Sequence, residues 1–147
     1  PQTEFVGTSA KYILDKIGIT VGDDVKVILM EAKEDHPFVQ VELMMPILPL
    51  VRVPDVDQAI EMAVRVEHGN RHTAMMHSRN VEKLTKMAKL IQTTIFVKNG
   101  PSYAGIGVGG EGYTTFTIAG PTGEGLTSAK SFARRRRCVL VGGMDVR

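Results

Sequence analysis

The sequence predicts an α/β fold of three layers, αβα, built on a mostly parallel sheet. Three observations carry that prediction. Between Ile47 and Asn99, strand-like and helix-like segments alternate at short spacings, the pattern of consecutive βαβ units. The helix-like segments open on start signals, Pro54 with Asp55 in one case and Asn80 in the other. At 147 residues, 43% hydrophobic and 23% charged, the chain can bury the core of one domain or of a large piece of one.

Taken in order, Thr3 to Ile19 carries Phe5, Val6, Ala10, Ile13, Leu14 and Ile17 at helical spacing and closes at Gly18, which predicts a helix. Asp24 to Met30, DVKVILM, is rich in β-formers, and Phe38 to Val41 is a second short apolar run. ILPLVRV, Ile47 to Val53, reads as a strand buried on both faces except where Arg52 surfaces. Asp55 to Val66 has an acidic first turn and sets Val56, Ala59, Ile60, Ala63 and Val64 along one stripe, so it is a helix. HTAMMH, His72 to His77, is the next strand. Asn80 to Gln92 is a helix capped by Asn80, and TTIFVKN, Thr93 to Asn99, is a further strand. Glycines then concentrate between Gly100 and Gly125. Order returns with a short helix over Leu126 to Ala133 and a strand over Arg137 to Val141, RCVLV.

Several function classes are excluded early. No apolar run approaches the roughly 20 residues that span a bilayer, and the polar start shows no signal-peptide pattern, so no membrane partner and a cytoplasmic setting are expected. The single cysteine, Cys138, rules out an internal disulfide or a cysteine metal cluster and fits a reducing compartment. The net charge is only +2 and depends on the run Arg134 to Arg137. No aromatic platform is interleaved with that run, and it leads directly into the apolar CVLV. It therefore reads as a solvated or subunit-facing strand, not a nucleic-acid patch. Cys138 then sits among apolar neighbours like a small hydrophobe, a poor setting for a nucleophile.

Two glycine stretches imitate phosphate loops. GIGVGG, Gly105 to Gly110, satisfies G-x-G-x-x-G, but a β-like stretch follows where a helix must open, and no acidic residue ends a second strand at the required distance. GPTGEGLT, Gly120 to Thr127, is one residue from a P-loop, yet Leu126 stands where the lysine must reach the phosphates. Both are read as irregular backbone needing positive φ.

EHGNRHTAMMHS, Glu67 to Ser78, holds three of the four histidines. His68 and His72 have the i, i+4 spacing that suits zinc on a helix. Gly69 and Asn70 between them favour a turn, which removes the shared face, and no metal is assigned.

VELMMPILPLVRV (Val41 to Val53), EHGNRHTAMMHS, and the long block from Thr93 to Gly143, which includes TTIFVKNGPSYAGIGVGG and SFARRRRCVLVGG, together carry a resemblance. They closely resemble the C-terminal part of the CoA-acylating aldehyde dehydrogenases of bacterial microcompartments, the propionaldehyde and acetaldehyde dehydrogenases of propanediol and ethanolamine breakdown. The resemblance covers nearly the whole chain. It implies residues 1–133 as the later portion of the catalytic domain and 134–147 as a C-terminal oligomerisation strand, within a homo-oligomer. The nucleophilic cysteine is implied upstream of Pro1, on the rest of the same enzyme, so this chain alone is expected to be inactive. The implied substrates are a short aldehyde, NAD and coenzyme A, and the implied location is the cytoplasm, inside a microcompartment.

The same resemblance assigns residues. Glu42, four before Pro46, matches the acid that binds the ribose beside the nicotinamide, a task for a carboxylate accepting two hydroxyls. Leu43, Met44 and Met45 stand where a Phe-Gly pair often precedes that proline in ordinary aldehyde dehydrogenases. His72 matches a histidine near the thiohemiacetal, where an imidazole can handle a proton at neutral pH. The start of a strand is the less usual end for a catalytic group in an open sheet. Thr115, Phe116 and Ile118 are candidate lining of the aldehyde pocket, and His68 and His77 receive no role. A non-enzymatic module that oligomerises through its sheet edge is the alternative from a different class.

Overall fold

The structure, a computed structural model, describes residues 3–110, 118, 119, 125–139, 141 and 142. The chain divides into two compact units, Pro1–Asn70 with Ser78–Gln92, and Arg71–His77 with Thr93–Arg147. Helices and strands alternate as the sequence predicts. Among the described residues the strands form three two-stranded sheets, two parallel and one antiparallel.

The first unit opens differently from the single helix that the sequence predicts. The long helix over Thr3 to Ile19 is a 3₁₀ turn at Thr3–Phe5 followed by a short helix, α1, at Ala10–Asp15. Gly7 separates them at φ +72°, and its N–H donates to the Met44 carbonyl at 3.0 Å instead of to a helical partner. A side chain at that φ would be strained, so the periodicity of the apolar residues could not carry a helix through. Ser9 caps α1 by accepting from the Tyr12 N–H. Gly18 ends it as predicted, at φ +79°, with Gly18 N–H on Asp15 O at 3.1 Å and Ile19 N–H on Leu14 O at 3.0 Å, the Schellman arrangement.

Strand β1, Ile28–Glu31, pairs in parallel with β2, Ile47–Leu50, with Ile28 opposite Ile47 and Glu31 opposite Leu50. β2 was expected to be buried on both faces, but its exposure alternates, and Leu48 and Leu50 are 51% and 46% exposed. Among the described residues one face is the better covered, and the period of two decides which side chains meet it. Arg52 does surface, and its Nε lies 2.9 Å from Glu31 Oε1. Between the strands the apolar run at Phe38 becomes a single helical turn, α2, Pro37–Gln40. The His36 ring caps it, Nδ1 accepting from the Phe38 N–H at 3.1 Å, and Pro37 occupies the first turn, where its missing N–H costs nothing.

Helix α3, Val56–Val66, and helix α4, Val81–Ile91, start where their signals place them. Asp55 accepts from the Gln58 N–H at 2.9 Å and Asn80 from the Lys83 N–H at 3.0 Å. Ile60 of α3 and Leu84, Met87 and Ile91 of α4 are buried, at about 1.5–3 kcal/mol for each large aliphatic side chain. Asp57 of α3 takes hydrogen bonds from both Lys83 and Lys86 of α4, which ties the two helices across their faces.

The second unit pairs β3, Thr73–Met76, with β4, Ile95–Lys98, in parallel, with Thr73 opposite Ile95 and Met76 opposite Lys98. Ile95 and Val97 of β4 form a buried cluster with Ile106, which lies on a 3₁₀ turn over Ser102–Ile106. The close seating of that turn on β4 needs Gly105, whose absent Cβ would stand 2.3 Å from Ile95 Cγ2. β5, Ile118–Ala119, and β6, Gly125–Leu126, make a small antiparallel ladder. The helix predicted over Leu126 to Ala133 is a 3₁₀ turn at Ala129–Phe132, set by a Ser128 and Ser131 capping box.

Residues 134–139 are exposed and adopt neither helix nor strand. The arginines are solvated, but the strand expected over Arg137 to Val141 is absent among the described residues. Cys138 is corrected: it is exposed, not packed as a small hydrophobe. Its apolar neighbours Val139 and Val141 are 68% and 90% exposed, so sequence neighbours alone supply no cover.

Candidate functional site

Glu42 lies two residues beyond α2 and five before β2, on backbone anchored from both sides. Val41 N–H donates to Pro37 O at 3.1 Å, the Met44 carbonyl accepts from Gly7, and the Pro46 carbonyl accepts from the Ile28 N–H at 2.8 Å. Leu43 is buried at 7% exposure, and Met44 takes φ +52°. Such a segment holds its backbone while leaving a side chain outside. The Glu42 carboxylate is exposed and makes no hydrogen bond or ion pair among the described residues. Val41 and Leu43, its neighbours in sequence, line an apolar cavity of about 660 Å³ with Phe5, Leu14, Ile28 and Phe38.

His72 belongs to the second unit and immediately precedes β3. Its carbonyl accepts from the Ile95 N–H at 3.1 Å, and the Arg71 carbonyl accepts from Thr94 at 2.9 Å, so the β3–β4 ladder extends to its backbone. The exposed ring places Nδ1 2.7 Å from Thr73 Oγ1. A hydroxyl can donate or accept there, and the choice sets the tautomer. When Nδ1–H donates to Oγ1, Nε2 carries the lone pair and can take a proton from a substrate.

The structure also answers the zinc-like spacing. α3 ends at Val66, and His68, Gly69 and Arg71 all have positive φ, between +54° and +76°. His68 and His72 therefore share no helix face. His68 has a partner the sequence did not suggest: its Nε2 lies 2.9 Å from Gln40 Oε1. Of the aldehyde-pocket candidates, Thr115 and Phe116 lie outside the described residues, and Ile118 is placed only as β5 backbone opposite Leu126.

Among the described residues the most perturbed carboxyl is that of Asp57 on α3. Lys83 first and Lys86 second hold Asp57 down at about 2 through hydrogen bonds. Glu34 is lowered by the Arg65 guanidinium. Both shifts belong to ion pairs that join elements of the first unit, a common structural source of perturbed acids.

Comparison with known proteins extends this. The aldehyde dehydrogenase family profile matches residues 26–124. Over 95% of its length the chain is 74% identical to a propionaldehyde dehydrogenase of Rhodopseudomonas palustris solved with bound propionyl-CoA, at a TM-score of 0.88, covering 31% of that protein. It is 54% identical over 97% of its length to the acetaldehyde dehydrogenase (acetylating) EutE of Salmonella typhimurium, covering 31% of that protein. A propionaldehyde dehydrogenase from the fucose utilisation bacterial microcompartment of Clostridium phytofermentans is 55% identical over 92% of the chain, with a TM-score of 0.84 and 31% of its own length covered. That enzyme has also been solved as a histidine-to-alanine and as a cysteine-to-alanine variant. The chain thus spans about a third of the length of the curated relatives it matches.

Proposed function

The chain belongs to the aldehyde dehydrogenase family, and on that premise we propose that it is the C-terminal part of a CoA-acylating member, which oxidises propionaldehyde or acetaldehyde to the acyl-CoA with NAD. The observation that carries this is the 74% identity, over nearly the whole chain, with an enzyme solved holding propionyl-CoA. In this reading residues 1–133 complete the catalytic domain, and 134–147 take up a strand on pairing with a second subunit. The exposed Val139 and Val141 suit that pairing. The enzyme works in the cytoplasm within a microcompartment, as the source of one relative suggests. No helix among the described residues is long and apolar enough to cross a membrane.

The nucleophile is a cysteine upstream of Pro1. In the Clostridium phytofermentans variants the replaced cysteine precedes the replaced histidine by more positions than separate Pro1 from His77, the last histidine here. The thiolate adds to the aldehyde carbon, and the former carbonyl oxygen takes a proton to give a thiohemiacetal. NAD, when bound, supplies the acceptor for the hydride that leaves this carbon. His72 Nε2 accepts the hydroxyl proton as the hydride departs, which yields a thioester. Coenzyme A then attacks the thioester carbon as its thiolate, its thiol proton having passed to solvent, and the C–S bond to the enzyme breaks and restores the cysteine thiolate. Thr73 Oγ1, 2.7 Å from Nδ1, can accept the Nδ1 proton and so leave Nε2 free for this step. Glu42, exposed and without a protein partner among the described residues, fits a ribose diol because both of its oxygens remain available to accept. An engineered glycolyl-CoA reductase, 74% identical over 95% of this chain, was solved with NADP+, so NAD and NADP are compared side by side in the test.

The test sets full-length enzyme against the 147-residue chain in propionaldehyde and coenzyme A, with NAD in one series and NADP in a parallel one. The full-length enzyme is expected to form propionyl-CoA and reduced dinucleotide, and the chain alone neither. Turnover by the chain would overturn the upstream nucleophile, and a full-length enzyme that ignores coenzyme A would overturn the acylating reading.

A further inference from the structure

We propose that His68 and Gln40 form a latch that holds Glu42 in place for the ribose, which makes both of them positioning residues; the proposal rests on the ribose reading of Glu42 above. α2 is one turn long, and a single turn of helix cannot hold itself together in water. Its last residue, Gln40, is two positions from Glu42, so whatever fixes Gln40 fixes the departure of that segment.

Gln40 is held from two directions. Its Nε2 donates to the Glu34 carbonyl, which can only accept, and this sets the orientation of the amide. Oε1 is therefore the atom that faces His68, at 2.9 Å from Nε2, and the imidazole must donate. Arg65, one turn earlier on α3, grips the Glu34 carboxylate as a fork, Nε to Oε1 at 2.9 Å and Nη2 to Oε2 at 3.1 Å. The C-terminal end of α3 thus clamps both ends of the segment from Glu34 to Gln40. His68 reaches its position at φ +54°, just past the end of α3, a backbone conformation that histidine and asparagine adopt more readily than most residues. Burial does not explain the arrangement, since the His68 ring is exposed.

The experiment uses full-length enzyme carrying Gln40→Leu, His68→Asn, the pair together, and Glu42→Ala. Leucine keeps the volume of Gln40 and loses both hydrogen bonds. Asparagine keeps the left-handed backbone of His68 comfortable but ends short of Gln40. Gln40→Leu and His68→Asn are each expected to raise the KM for NAD about three- to tenfold, the worth of one hydrogen bond. kcat and the KM for coenzyme A should stay within about twofold, a split that general damage to the fold would not give. The pair should cost no more than Gln40→Leu alone, because that change already removes the His68 contact that His68→Asn removes. Amide exchange at Val41, whose N–H bonds Pro37 O, should quicken in Gln40→Leu whatever the kinetics show. If Glu42→Ala leaves the KM for NAD unchanged, the ribose reading fails. If Glu42→Ala raises it while the other two do not, or if their effects add, or if Val41 exchange is unchanged, the latch fails alone.

Discussion

Gly105→Ala separates packing from phosphate binding. Residue 105 lies in the 3₁₀ turn over Ser102–Ile106, and a Cβ there would stand 2.3 Å from Ile95 Cγ2 and 3.4 Å from Val97 Cγ2. Carbon pairs rest at roughly 3.5–4.0 Å, so Ile95 or the turn must move by about 1 Å. Ile95 is 6% exposed and β-branched, with one strongly preferred χ1, and rotation offers no easy relief. Overpacking of this kind costs about 1–3 kcal/mol. Replacing glycine in a helical turn returns about 0.5–1 kcal/mol through backbone entropy, so at the middle of these ranges the clash wins by about 1 kcal/mol. With a urea m-value of about 1–3 kcal/mol/M, the midpoint should fall by roughly 0.3–1 M, read by circular dichroism. The loss should shrink in an Ile95→Ala background, where Cγ2 is gone. An unchanged midpoint combined with weakened dinucleotide binding would refute the packing argument and return GIGVGG to the phosphate loops.

Asp57 makes a pH-dependent contribution to stability. Its carboxyl titrates at about 2 in the folded chain against an ordinary 3.8, so the contribution is present above about pH 4 and is lost as pH falls toward 2. Asp57→Asn should lower the thermal midpoint at neutral pH and flatten its acid dependence, the more so at low salt; equal midpoints at pH 7 would dismiss the tie between α3 and α4. Asn80→Ala removes the acceptor for the Lys83 N–H and should destabilise by about 1 kcal/mol in chemical unfolding, and a neutral result would mean that water caps α4 equally well.

What was legible in the sequence was local and redundant. α3 and α4 each had a capping residue, an acidic first turn and an apolar stripe in agreement, and β3 and β4 were bounded by turns. What was misread depended on one residue or on a partner. Gly7 divided an apolar pattern that ran through it, because its N–H found Met44 in a segment distant in sequence. β2 looked doubly buried because composition does not say how many layers cover a sheet. The His-Pro pair before Phe38 carried a capping signal that the apolar run concealed, since histidine is an uncommon cap. Cys138 was judged by its neighbours in sequence, whereas exposure is decided by neighbours in space. Glu42 and His72 came from resemblance, because neither a lone carboxylate nor a lone imidazole carries a spacing of its own. The contact between His68 and Gln40 spans 28 positions, with no periodicity to announce it.

In the proposed reaction this chain lends an imidazole to a cysteine carried elsewhere on the enzyme. The most direct measurement is kcat for propionaldehyde oxidation by full-length enzyme bearing His72→Ala, with the dissociation constant for NAD measured on the same sample. Loss of a positioned proton acceptor predicts a fall in kcat of about 10²–10⁴ with NAD binding intact. A kcat within about twofold of the parent enzyme would contradict it.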